Sequence, residues 1–219
     1  MTTVVFASGN RKKLLELQDL LQHRVFGGLK LVPQGDFNIA DAVEDGESFV
    51  ENAIIKARHA CNESGLPAIA DDSGIEVDAL GGAPGIYSAR FAHHYLAGGF
   101  PTLAPLPPAT LLVRDNADAT NNTLLLELLR DIPDAKRTAR FQCVIAMLRF
   151  PGDPMPLICQ GTWEGRIVRE PHGVHGFGYD PLFFVPTHDC TSAALTPAVK
   201  NALSHRGQAL QQLLTRWPL

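Results

Sequence analysis

Asp71-Asp72-Ser73-Gly74 sets two adjacent carboxylates beside a hydroxyl, directly after the apolar run Ala68-Ile69-Ala70. An apolar strand ending in acids and a flexible turn delivers negative charge to the rim of a sheet, where open α/β folds bind ligands. Clustered oxygen ligands are also what Mg²⁺ requires. Ordinary turn chemistry gives the same local pattern. More acids stand at Glu44, Asp45, Glu47 and Glu51. One carboxylate from the 41–47 loop and one from 71–72 would suffice for Mg²⁺, which completes its shell with water and substrate phosphate. Glu51 is explained by the dipole of the helix it opens.

Two further sets carry the opposite charge. Ser8-Gly9-Asn10-Arg11-Lys12-Lys13 lies between an apolar strand and an amphipathic pattern. A glycine turn there lets backbone N–H groups face an anion at a helix start, and Lys13 adds a point charge suited to phosphate. The Walker A spacing is absent, and a solvated basic helix start is the plainer alternative. Lys200 and Ser204-His205-Arg206-Gly207 place basic groups near another helix start, against the helix dipole, which a bound anion or polar ligand would explain. Gly176-Phe177-Gly178-Tyr179-Asp180-Pro181 alternates glycine with aromatics, so the rings either stand clear to stack on a planar base or pack into the core.

The elements that must position these groups follow from periodicity. Val4–Ala7 reads as a buried strand, and leucines at 14, 17, 20 and 21 predict a helix from Lys12 to Gln22. A short strand is expected near Leu29–Val32. Ser48 and Glu51 form a capping box opening a helix to about Ser64, with Phe49, Ala53, Ala57 and Ala60 inward. The strand 68–70 then leads into the acidic turn. Residues 93–116, with Pro101, Pro105, Pro107, Pro108 and Gly98-Gly99, read as an irregular, mobile surface excursion dispensable for the core. A helix is expected over 123–130, neighbouring strands over 140–150 and 156–163, a strand at 182–185 and a closing helix over 204–216. Early αβ alternation followed by hairpins predicts an α/β fold with a mixed sheet.

Composition removes several classes of function. The 219 residues are 45% hydrophobic and 19% charged, enough for one large domain or two joined lobes. A net charge of −4 and no long basic run argue against stable nucleic-acid binding. The 4 cysteines form no CxxC pair, so reduced thiols in a cytosolic protein are expected rather than a zinc or disulfide framework. Ser8-Gly9-Asn10 interrupts the first apolar run too early for a signal peptide. No segment approaches the roughly 18 apolar residues of a membrane span.

In order along the chain, Ala7-Ser8-Gly9-Asn10 with Lys13, Phe49-Val50-Glu51-Asn52-Ala53 with Lys56-Ala57, and Ala70–Gly74 resemble the Ham1/inosine-triphosphate pyrophosphatase family. The likeness continues through Gly81–Arg90, Gly176–Pro181 and Ser204–Gly207, and is strongest to the bacterial dITP/XTP branch. The resemblance implies a cytoplasmic homodimer, with residues 1–219 forming one domain of two lobes. Each subunit would be an elongated α/β body with a long mixed β-sheet flanked by helices and a nucleotide cleft between the lobes. It implies cleavage of non-canonical purine nucleoside triphosphates (dITP, ITP, XTP) to the monophosphate and pyrophosphate, with Mg²⁺ as cofactor. That chemistry would keep such nucleotides out of DNA and RNA. Asp72 would accept the proton of the attacking water and bind metal, with Glu44 as second metal ligand and Asp45 still open for that role. Ser8, Gly9, Asn10, Arg11, Lys12, Lys13 and Lys56 would hold phosphates. Ser73, Phe177, Gly178, Tyr179, Asp180, Lys200, His205 and Arg206 would hold nucleotide and base. The chain departs from the family pattern by an insertion at about 93–117, ahead of Asp118-Ala119-Thr120-Asn121-Asn122. A non-catalytic purine-nucleotide-binding module is the alternative.

Overall fold

The computed structural model describes residues 2–9, 13–15, 17, 29–106 and 116–217. The expectations for Asn10, Arg11 and Lys12, for most of the helix to Gln22 and for residues 107–115 lie outside them. The described chain forms a mixed sheet in the order β2-β1-β3-β5-β6-β7-β8, with β4 on β3. It divides into two compact units, and β3, β5 and β6 contribute residues to both.

The first unit comprises residues 1–73, 143–161 and 203–219. Strand β1 (Thr2–Phe6) pairs parallel with β2 (Leu29–Pro33) and with β3 (Ala68–Val77). Strands β5 (Thr138–Leu148) and β6 (Leu157–Ile167) are neighbours in the sheet. Alternation along these strands builds two cores. Val4, Phe6, Ile69, Cys143 and Ile145 pack against Leu17 and against Ala209, Leu210 and Leu213 of the closing helix. Val5, Ala7, Ala68, Ala70 and Val144 pack against Ala53, Ala57 and Ala60 of helix α1 (Phe49–Ser64). The capping box at the start of α1 forms as expected: Ser48 Oγ accepts from Glu51 N–H and donates to Glu51 Oε2. Lys13–Leu15 and Leu17 are helical.

The second unit comprises residues 74–142 and 162–202. It contains β4 (Pro84–Gly85), antiparallel to β3, and helices α2 (Phe91–Leu96) and α3 (Ala117–Leu128). Strands β7 (Phe183–Val185) and β8 (Cys190–Thr191) and helix α4 (Pro197–Leu203) follow. The rings of Phe141, Trp163 and Phe183 form its aromatic core, with Phe141 and Phe183 centroids 4.5 Å apart.

Two expectations about the elements are corrected. The acids at 71–72 do not close a strand: β3 runs through them to Val77, ten residues in all. The excursion after Arg90 begins as helix α2, where His94 stacks on Tyr87 with centroids 3.7 Å apart and Phe100 meets both rings edge-on. Tyr95 Oη donates to Ala104 O and accepts from Leu106 N–H. Aromatic packing thus ties residues 91–106 to the unit, which the proline count alone conceals. Among the described residues, no helix is long and apolar enough to cross a membrane.

Candidate active site

Strand alternation decides what each acid meets. Asp71 shares a face with Ile69, the side covered by the Lys13–Leu17 helix and helix α5 (His205–Thr215). Asp72 shares a face with Ala70, the side covered by α1. Each acid accordingly finds the cations of its own side. Asp71 Oδ2 lies 2.9 Å from Lys13 Nζ and accepts from Arg206 Nε and Nη2 at 3.3 Å. Asp72 Oδ1 accepts from Lys56 Nζ at 2.8 Å, and the same ammonium is 3.2 Å from Glu44 Oε1. Paired cations are what allow two buried carboxylates to sit within a strand.

The adjacent acids are driven apart electrostatically. Burial pulls the Asp71 carboxyl upward, but Lys13, Arg206 and Lys56 outweigh it and hold the group well below the usual carboxylate range. Burial raises Asp72, Glu44 adds to the rise, and Lys56 and Lys13 only partly offset it. Burial works against the charge on Lys56, yet Asp72, Asp71 and Glu44 together raise it above its ordinary value. Cys143 lies in the same field, its thiol pushed up to about 12 by burial and the Asp71 charge. Asp71 is therefore a fixed negative charge organising Lys13 and Arg206. The surroundings of Asp72, burial above all and the Glu44 charge with it, favour its protonated form.

The remaining residues of this cluster are placed by their elements. Ser8 and Gly9 follow β1 after Ala7. Ser73 continues β3 and accepts from Arg206 Nη2 at 3.0 Å. His205 and Arg206 are buried in the first turn of α5, which Ser204 caps by accepting from Gly207 N–H. That turn rests on Gly161 of β6, where a Cβ would lie 2.0 Å from His205 O. Only glycine permits so close an approach. The acidic loop is held from α1, where the buried Asn52 accepts from Gly46 N–H at 3.0 Å. Asn52 is a positioning residue that sequence reasoning passed over within the Phe49–Ala53 segment.

Asp72 and Glu44 suit a divalent cation. Asp72 Oδ2 is buried and finds no partner among the described residues, and both carboxylates already flank one cationic ammonium. Asp45 is exposed on that loop where Glu44 is half-buried, and among the described residues it is Glu44 that pairs with Lys56.

A second cluster lies in the second unit. Buried Asp180 accepts from Lys200 Nζ at 2.6 Å, Ser192 Oγ at 2.8 Å and Phe177 N–H at 2.8 Å. The Lys200 ammonium is 5.1 Å from the centroid of the half-buried Phe177 ring. Gly178, at φ +59, is in the left-handed region that glycine adopts freely. Tyr179 takes the core-packing alternative: it is buried, and its hydroxyl donates to Ser88 O at 2.8 Å. Asp180 thus ties the Phe177–Asp180 turn to Ser192 and to Lys200 of α4.

The sequence model of the Ham1 family matches residues 4–216. The dITP/XTP pyrophosphatase of Vibrio parahaemolyticus is 48% identical over 216 residues, covering 99% of this chain and 96% of that protein. The dITP/XTP pyrophosphatase of Shigella flexneri is 51% identical over 214 residues, 98% and 97% of the two chains. The structure of a HAM1 protein from Coxiella burnetii superimposes with a TM-score of 0.82 at 47% identity, over 99% of this chain and 98% of that one. With this agreement in sequence over nearly its whole length and in fold, the chain belongs to the Ham1 family.

Proposed function

We propose that this protein hydrolyses non-canonical purine nucleoside triphosphates, dITP, ITP and XTP, to the nucleoside monophosphate and pyrophosphate. Near-full-length similarity to dITP/XTP pyrophosphatases supports the substrate class, and the Asp72–Lys56–Glu44 ion-paired group carries the chemical reading. A water beside Asp72 gives its proton to that carboxylate as its oxygen bonds to phosphorus. The α–β phosphoanhydride breaks and pyrophosphate leaves with the bridging oxygen. Lys13 and Lys56 offer ammonium groups to the phosphates, and the family resemblance adds Ser8 and Gly9. Asp72 and Glu44 would hold Mg²⁺, which when bound neutralises phosphate charge.

The base is read by donors. Hypoxanthine and xanthine carry an oxygen at position 6 where adenine carries an amino group, so Arg206 and His205 would donate to the oxygen and mismatch the amino group. In the second unit, Phe177 offers an aromatic face and Lys200 an ammonium, groups that the family resemblance assigns to nucleotide and base. Assembly as a homodimer rests on the family resemblance, and a cytoplasmic location on the unpaired cysteine pattern. Retention of Asp72, Glu44 and Lys56 in one ion-paired group speaks for catalysis rather than for passive nucleotide binding.

The test is pyrophosphate release from ITP, XTP, dITP, GTP and ATP with Mg²⁺, by the natural chain and by Asp72→Asn. Turnover of the 6-oxo non-canonical substrates should dominate, and the variant should lose at least about 10²-fold. Near-native turnover by Asp72→Asn would remove that residue from the mechanism.

A further inference from the structure

Asp118 and Asn122 are four residues apart on α3 and therefore share one face of the helix. Both reach the same residue of the aromatic loop. Asp118 Oδ2 accepts from Gly178 N–H at 2.9 Å, and Asn122 Nδ2 donates to Gly178 O at 3.0 Å. Gly178 stands in a left-handed turn, where no strand ladder serves its peptide groups, so side chains fix its N–H and C=O. Its neighbours are fixed as well. Phe177 N–H donates to Asp180, and Tyr179 Oη donates to Ser88 O. The third amide of the helix start, Asn121, turns elsewhere: it accepts from Ala92 N–H and donates to Ala89 O. The first turns of α3 thus divide their polar side chains between two loops, and one pair is devoted to Gly178.

We infer that Asp118 and Asn122 are specificity-determining positioning residues: by clamping Gly178 they set the pose in which Phe177 meets the purine base. Neither touches the nucleotide, and the inference rests on the reading of residues 177–180 as a base site. Geometry gives the two side chains distinct requirements. Position 118 needs an acceptor, which asparagine also supplies. Position 122 needs a donor, which aspartate lacks.

The experiment measures kcat and KM for ITP and ATP in the natural chain and in Asp118→Ala, Asp118→Asn, Asn122→Ala and Asn122→Asp, with Tm recorded for each. In Asp118→Ala and Asn122→Ala the ITP-over-ATP ratio of kcat/KM should narrow about tenfold, through a raised KM for ITP at nearly unchanged kcat. Asp118→Asn should keep the ratio within about twofold of the natural value, whereas Asn122→Asp should be no better than alanine. If an alanine variant does not fold, the contrast between Asp118→Asn and Asn122→Asp decides. An unchanged ratio in folded alanine variants of a discriminating enzyme overturns the inference alone, as does equal damage from Asp118→Asn and Asp118→Ala. A natural chain that fails to discriminate ITP from ATP overturns the base-site reading, and the inference with it.

Discussion

Lys56 holds together what would otherwise be two facing carboxylates. Its ammonium is 2.8 Å from Asp72 and 3.2 Å from Glu44, and its stem rises from the buried face of α1. Replacing it by methionine keeps the stem and deletes the charge, so Asp72 and Glu44 lose their common counter-ion and the phosphates lose a donor. Loss of one charge-assisted hydrogen bond to phosphate corresponds to about 1.5–3 kcal/mol, or roughly 10- to 100-fold in kcat/KM. Lys56→Met should show a fall of that size in pyrophosphate release; a rate within twofold of the natural enzyme would exclude Lys56 from the phosphate site. The residue types of this cluster were legible in the sequence: acids at 44 and 72, lysines at 13 and 56, and Arg206. The partnership of Asp71 with Arg206 was not. It spans 135 residues, and it follows from strand alternation only once β3 is known to run on through the acids. Ser73-Gly74 hid that continuation, because the same dipeptide is a good turn.

At the scale of elements, the legible ones announce themselves by local chemistry. The capping box fixes the start of α1, and leucine spacing marks α5. Helix α3 begins at Ala117, six residues before the apolar periodicity starts, because its first turns spend polar side chains on loops rather than on a core. Helices α2 and α4, of 6 and 7 residues, are too short to show a period. Arg137 illustrates what no local pattern reveals. Its side chain is buried with no ion pair to a carboxylate among the described residues, and its guanidinium donates to Ile167 O, Leu129 O and Val168 O at 2.7–2.9 Å. It joins the end of α3 to the start of β5 and the end of β6. Arg137→Met fills much of the volume but removes three buried guanidinium–carbonyl hydrogen bonds, with Leu129 O keeping the Ile132 N–H, a loss of about 3 kcal/mol or more. Denaturant unfolding should register that loss while kcat/KM for ITP in the folded variant stays near the natural value. A destabilisation below about 1 kcal/mol would show that water replaces the guanidinium at little cost.

For the molecule as a whole, the aspartates show which charges the fold wants. Arg140 and Thr138 hold Asp78 below the usual carboxylate range, and the Lys13–Arg206 pair does so for Asp71, whereas Asp72 is pushed above it. Asp153 belongs with the lowered group and sits in the connection between β5 and β6, the strands that contribute to both units. It is buried and accepts from the Arg149 guanidinium at 2.7 and 2.8 Å and from the backbone N–H groups of Arg149 and Met155. These bonds favour the ionised form, so in acid the native state binds fewer protons at this site than the unfolded chain does. The stabilisation is complete above the unfolded carboxylate value of about 3.9 and disappears as pH falls through the lower native value. Asp153→Asn removes it, and the variant should melt roughly 2–6 °C below the natural chain from pH 5 to 8. The gap should close as both are taken below pH 4, because the natural chain loses there what the variant never had. A gap that stays constant down to pH 2, or widens, would show that Asp153 acts through the shape of the turn and not through its charge.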